Sequence, residues 1–146
     1  PQLPNYNSKE FMLSHALDGM PGINADEQGM ITIDLPQWRK GYLEYDERLQ
    51  RALEEGDLMG FLPSEESCAA LRPFLAHIEE TKTPRAKAQI AGPMTVQWSL
   101  RTTENLFPPA PVMTQVTRTI MAKSLVSMVA FIKHWQQAFT RGTGWM

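Results

Sequence analysis

The sequence has a single cysteine, Cys68, among its 146 residues, so no disulfide can form within the chain. A chain without disulfides is typical of a reducing compartment, and we expect a cytoplasmic protein. The longest apolar runs are only a few residues, far from the ~20 that a membrane-spanning helix needs. No basic run occurs and the net charge is −2, so neither nucleic acid nor a membrane is an expected partner.

The composition is that of a folded domain. Hydrophobic residues make up 42% of the chain and charged residues 21%, which predicts one globular domain over residues 1–146. The first residues, "PQLPN", contain neither an initiator Met nor a signal-like segment. We therefore expect a fragment or a processed form of a longer protein.

Local patterns predict a hairpin and two long helices. Ile23–Ala25 and Met30–Asp34 alternate in polarity around "DEQG", which is typical of a β-hairpin. A helix is predicted between Pro36 and Gly56. The last helix is expected over 112–140. The expected buried stripes are Trp38, Tyr42, Tyr45, Leu49 and Leu53 in the first helix, and Val116, Ile120, Leu125, Met128, Ile132, Trp135 and Phe139 in the second.

Two short apolar runs, "LMGFLP" and "KAQIA", are predicted to be buried strands. The segment between them, from "SEES" to "HIEET", is predicted to be a helix with Ser64 as its N-cap and a kink or division at Pro73. Strands that alternate with helices favour parallel βαβ units, and hence an α/β fold.

The order of three short segments resembles one group of TIM barrels. "PQLPN" follows a presumed first strand, "SEES" opens a helix after the second, and "QIAGPMT" ends the third. The chain resembles the N-terminal part of proteins related to cobalamin-independent methionine synthase and uroporphyrinogen decarboxylase. The Gly-Pro-x-Thr run from Gly92 to Thr95 is the best single match to the methionine synthases.

The resemblance implies a partial (β/α)8 barrel made of the first three or so βα units, with the hairpin inserted. The active site of such a barrel lies at the carboxyl ends of the strands. The resemblance also implies a small-molecule substrate and a methyltransferase-like reaction. The methionine synthases use a zinc site of His, Cys and Glu in the later part of the barrel. Cys68 has no second Cys or His at a ligand spacing, so no metal or other cofactor is expected within this chain.

The decarboxylase anchors its many-carboxylate substrate with arginines in the first loop. "PQLPNYN" has none, so that substrate is not expected.

The resemblance places six candidate substrate-binding residues at the expected strand ends, and it identifies no catalytic residue. Glu65 can equally complement a helix N-terminus beside Glu66, and Gln89 can satisfy a core neighbour. Thr95 can cap the next helix, and Asn5 suits a turn. The candidates are Gln2, Asn5, Glu65, Gln89, Gly92 and Thr95.

The sequence also allows a second interpretation of the function. The chain can be a non-catalytic, truncated domain that associates with itself, as a homo-oligomer, or with a missing C-terminal half. An open parallel sheet of three strands leaves unpaired edges and an apolar face, which favours association.

Overall fold

The computed structural model describes residues 10–82, 87, 89 and 91–140, without the side chains of 134, 135 and 137–140. Helices dominate, and three short strands form one small sheet. The elements in chain order are α1 (Met12–Leu17), β1 (Ile23–Ala25), β2 (Ile31–Ile33), α2 (Leu35–Glu55), a 3-10 turn (Met59–Phe61), α3 (Leu71–Thr81), α4 (Pro93–Ser99), β3 (Arg101–Thr102) and α5 (Ala110–Thr140).

The predicted hairpin is confirmed. β1 and β2 pair antiparallel, with Ile23 opposite Ile33. The turn is closed by Asp26, whose Oδ1 accepts hydrogen bonds from the backbone N–H groups of Gln28 (2.9 Å) and Met30 (2.8 Å). These are the bonds that a short acidic side chain makes at the start of a turn.

The sheet is mixed, which confirms the α/β class. β2 pairs with β1 on one side and, in parallel, with β3 on the other. The parallel pair joins Ile33 to Thr102, so the chain between them crosses over through α2, α3 and α4. The side chains of Ile31 and Ile33, both in β2, are buried in the core.

Helix α2 lies where the sequence predicts it. Asp34 is its N-cap and accepts a hydrogen bond from the Gln37 N–H (2.9 Å), while Gly56 ends it in the left-handed region. Four members of the predicted stripe are buried, but Leu53 is 39% exposed and the neighbouring Ala52 is buried in its place. The buried stripe of α2 therefore ends at Ala52 and not at the predicted Leu53.

The buried face of α5 differs from the prediction in its second half. Leu125, Met128 and Ile132 are exposed, whereas Val126 and Ala130 are buried. The helix carries apolar residues on two faces, and the face with smaller side chains packs against the rest of the protein. Small side chains allow the helix axes to approach closely, an advantage that hydrophobicity alone does not predict. The side chains of Trp135 and Phe139 lie outside the description.

Neither of the two predicted strands is seen among the described residues. "LMGFLP" forms the 3-10 turn, in which Phe61 is buried and its carbonyl accepts a hydrogen bond from the Ser127 hydroxyl of α5 (2.9 Å). In "KAQIA", the described residues Lys87, Gln89 and Ala91 lie outside any strand. Short apolar runs carry no periodicity that separates a strand from a buried irregular segment. The βα units expected at these runs are therefore not seen in the described part of the chain.

Pro73 lies in the first turn of a helix and neither kinks nor divides one. α3 begins at Leu71, so Pro73 lies in the first turn, where its missing N–H costs no helical hydrogen bond. Ser64 caps a separate turn before it and accepts a hydrogen bond from the Ser67 N–H (3.3 Å). None of the helices in the described ranges is long and apolar enough to cross a lipid bilayer.

We expect Gly22→Ala to destabilise the fold much more than Gly19→Ala. Both glycines have positive φ, so either alanine costs about 1 kcal/mol of backbone strain. A Cβ on Gly22 would lie 2.6 Å from the Asp34 carbonyl oxygen and 2.9 Å from the Trp38 nitrogen, whereas a Cβ on Gly19 meets nothing within 4 Å. Overpacking against backbone should add about 2 kcal/mol at Gly22. Urea unfolding of both variants measures the difference, and equal losses would contradict this account.

Candidate functional site

A cavity of about 300 Å³ lies between α1, α3 and α5. Its walls are mostly apolar, with a few polar groups among them, as is usual for small-molecule sites. Its lining consists of Met12, His15, Ala16, Leu62, Pro63, Cys68, Leu71, Phe74, Lys87, Gln89, Lys123, Ser124, Ser127 and Phe131.

Lys123 of α5 fixes α1 against one wall of this cavity. Its side chain is 3% exposed, and its ammonium group donates to the backbone carbonyls of His15 (3.3 Å), Ala16 (3.2 Å) and Asp18 (2.5 Å). These carbonyls belong to the last turn of α1, where helical acceptors lack partners and a cation is favoured. Burial lowers the pKa of Lys123 to about 8, against an opposing effect of the Asp18 charge. The ammonium form therefore predominates at pH 7.

Asp18 connects the end of α1 to the segment before α3. Its Oδ2 accepts a hydrogen bond from the Ser64 backbone N–H (2.8 Å). Burial alone would raise the pKa of Asp18, but this bond, the hydroxyls of Ser67 and Ser64, and the Lys123 charge together lower it. The ionised carboxylate is thus the form that stabilises the connection.

Beside the cavity, three side chains with metal-binding atoms meet; we call them the Glu10–His15–Cys68 cluster. One ligand atom from each lies within 4.8 Å of the other two. The Nε2 atom of His15 is 3.8 Å from Oε2 of Glu10. That nitrogen is buried and has no hydrogen-bond partner among the described residues.

The environment of the cluster favours neutral forms of its imidazole and thiol. Burial raises the pKa of Cys68, and the negative charge of Glu10 raises it further. Burial lowers the pKa of His15, although a hydrogen bond with the Ser67 backbone and the charge of Glu10 oppose that change. Glu10 is fully buried, and its Oε1 accepts a hydrogen bond from the Ala69 N–H (2.7 Å). The cluster thus offers a nitrogen lone pair, a sulfur atom and a carboxylate in one place.

The sequence-predicted site residues are not brought together by the described structure. Gln2 and Asn5 lie outside the described residues. Glu65 forms an exposed ion pair with Arg72 (2.8 Å), the arrangement of a solvated surface. Gln89 lines the rim of the cavity.

Gly92 and Thr95 lie at the start of α4, and neither lines the cavity. Gly92 is the N-cap, and its carbonyl accepts a hydrogen bond from the Val96 N–H (3.2 Å). The expectation that Thr95 caps this helix is wrong, because Thr95 lies inside the first turn with an exposed side chain. Gly92 takes the cap position because its extended backbone leads directly into Pro93, which suits the first helical residue.

Sequence reasoning did not identify Glu10, His15, Cys68 or Lys123 as site residues. Cys68 was expected within a helix, but it precedes α3, with its N–H bonded to the Ser64 carbonyl (2.8 Å). Lys123 carries the one available signal, because it is a lone charge on the apolar face of a long helix. No protein-family model, curated protein or solved structure matches this chain.

We expect Asp18→Asn to lower the free energy of unfolding at pH 7 by about 1 kcal/mol, since it weakens a charge-assisted hydrogen bond in a half-buried place. The folded-state pKa of Asp18 lies below the unfolded value of 3.8. Its contribution is therefore complete above that value and is lost as the pH falls through the folded pKa.

Urea unfolding of both proteins between pH 7 and pH 3 measures the effect. The difference between them should shrink towards the acid end. Asp57→Asn, at an exposed residue after α2, is the matched control and should change little. A difference that stays constant with pH would contradict the role assigned to the Asp18 charge.

Proposed function

We propose that the chain binds a small molecule in the cavity between α1 and α5 and belongs to a methyltransferase-like protein of the methionine synthase and uroporphyrinogen decarboxylase superfamily. The reaction class and the partial barrel come from the resemblance of "PQLPN", "SEES" and "QIAGPMT" to that superfamily. The substrate site comes from the cavity.

The observation that carries the proposal is the position of Gln89. This residue belongs to the "QIAGPMT" segment, in which the resemblance is strongest, and it also lines the cavity. A glutamine at the rim offers both a donor and an acceptor to a ligand. The "QIAGPMT" segment and the cavity thus share Gln89, which supports a ligand site at this residue.

The residues of the cavity walls support a ligand with both apolar and polar groups. Met12, Leu71 and Phe74 supply apolar surface, and Ser124 and Ser127 line the same space. Ser127 donates its proton to the Phe61 carbonyl, so its oxygen remains able to accept from a ligand. The Lys123 charge favours a ligand with a carboxylate, although its three donors are directed to α1. A molecule the size of an amino acid suits the volume and this mixture of groups, and the resemblance to the methionine synthases adds the expectation of a thiol or thioether.

We expect Gln89→Ala to weaken the binding of such a ligand about fivefold, since it removes one hydrogen bond at the rim. Calorimetric titration with homocysteine and with methionine measures the affinity of each variant. Thr95→Ala is the matched control, because Thr95 is another sequence-predicted candidate but lies outside the cavity. Equal losses in both variants, or no binding of either compound to the unaltered chain, would contradict the proposed site.

A second candidate function, self-association without catalysis, is favoured by the exposed face of α5. Met121, Leu125, Met128 and Ile132 are 46–59% exposed and are spaced 4, 3 and 4 residues apart, so they form one apolar stripe. Between residues 119 and 132 the only charged residue is Lys123, which is buried. A second copy could therefore pack its own stripe against this one without charge repulsion.

If the stripe is the interface, light scattering should give a mass near twice 16.6 kDa. Met128→Glu should return the mass to that of one chain, because it places a charge within the apolar contact. Met30→Glu is the control, at a methionine of similar exposure next to the hairpin. A monomeric unaltered chain would exclude this candidate while leaving the ligand-binding proposal in place.

A further inference from the structure

We propose that Glu10, His15 and Cys68 form a binding site for a divalent transition-metal ion, for which Zn²⁺ is the expected ion. The inference does not depend on the proposed function. The sequence predicts no metal ligands in this chain, because no second Cys or His lies at a ligand spacing from Cys68. The fold instead brings together residues from α1, from the segment before it and from the segment before α3.

The distances are close to those that a tetrahedral site requires. Ligand atoms 2.0–2.3 Å from a zinc ion lie roughly 3.5 Å from one another. The Nε2–Oε2 distance between His15 and Glu10 is 3.8 Å, and the whole cluster lies within 4.8 Å. Contraction by about 1 Å, within reach of small side-chain rotations, would complete the geometry.

Contacts outside the cluster orient the side chains of Glu10 and His15 and fix the backbone of Cys68. Oε1 of Glu10 accepts the Ala69 N–H, which turns Oε2 towards His15. The imidazole has a hydrogen bond with the Ser67 backbone, while Nε2 remains without a hydrogen-bond partner. The backbone of Cys68 is fixed by the carbonyl of Ser64. Such outer contacts hold metal ligands in the productive orientation.

The donor set and the charge both select the ion. A thiolate, an imidazole and a carboxylate suit zinc or a similar transition metal, whereas magnesium and calcium take oxygen ligands. Cys68 as thiolate and Glu10 as carboxylate together carry two negative charges, which one divalent cation neutralises.

The ion would have an open coordination position on the cavity side. Both His15 and Cys68 line the cavity, and three protein ligands leave one tetrahedral position vacant. Three ligands plus one exchangeable position is the pattern of zinc sites that act on a bound molecule, whereas purely structural sites have four protein ligands. A water molecule or a ligand atom in the cavity would take this position.

The test is a titration of the metal-free chain with Co²⁺, followed by absorption spectroscopy. We expect one equivalent to produce a cobalt–thiolate charge-transfer band, and Zn²⁺ to abolish it by displacement. Because Cys68 is the only cysteine, this band can arise from no other residue, and Cys68→Ser should lack it. Glu10→Gln and His15→Gln should keep the band and weaken cobalt binding at least tenfold. His77→Gln, at a histidine on α3, should bind as the unaltered chain does.

A second readout separates a lost site from a lost fold. Zinc should raise the midpoint of thermal unfolding of the unaltered chain and of His77→Gln, since a ligand that binds only the folded state stabilises it. The same zinc concentration should raise the midpoint of His15→Gln much less, and circular dichroism of that variant checks that it is folded. Absence of the cobalt–thiolate band in the unaltered chain would overturn the proposal. Unchanged cobalt affinity in both Glu10→Gln and His15→Gln would also overturn it, because Cys68 would then bind cobalt alone.

Discussion

The contact on which the rest of the structure depends is that of the Lys123 ammonium with the last carbonyls of α1. α1 has only six residues, too few to be stable as an isolated helix. It is retained because a charge on α5 binds its C-terminal carbonyls and because Ala16 and Leu17 are buried in the core. The position of α1 against α5, and with it the position of His15 in the cavity wall, depends on this contact.

A second polar connection brings Cys68 to His15. The chain folds back on α1 through two carboxylates, Asp18 bonded to Ser64 and Glu10 bonded to Ala69, which lies 59 residues further along the sequence. Both bonds join a side chain near α1 to a backbone N–H of the segment before α3. The cluster is thus a product of the fold, and its three residues meet because backbone groups of a turn need acceptors.

Features with a local cause could be predicted from the sequence. The hairpin around Asp26 and the bounds of α2 depend on neighbouring residues, through a turn side chain, an Asp34 cap and a left-handed Gly56. The buried face of α5 and the "LMGFLP" turn depend on which distant surfaces are available for packing. Periodicity and hydrophobicity therefore predicted the wrong face of α5 and a strand in place of the turn. For the same reason no spacing rule could join Cys68 to Glu10. Lys123 alone carried a sequence signal, as a single charge on an apolar face.

The charges of the site divide into two groups with different roles. The charge that acts on Lys123 is that of Asp18, and both belong to the structural connection between α1, α5 and the turn at Ser64. The carboxylate of Glu10 acts on the cluster instead. Burial raises the pKa of Cys68 and the Glu10 charge raises it further, whereas at His15 burial lowers the pKa and the charges of Glu10 and Asp18 oppose that change. A negative charge that disfavours a thiolate in the absence of metal becomes favourable once a cation is shared with that thiolate.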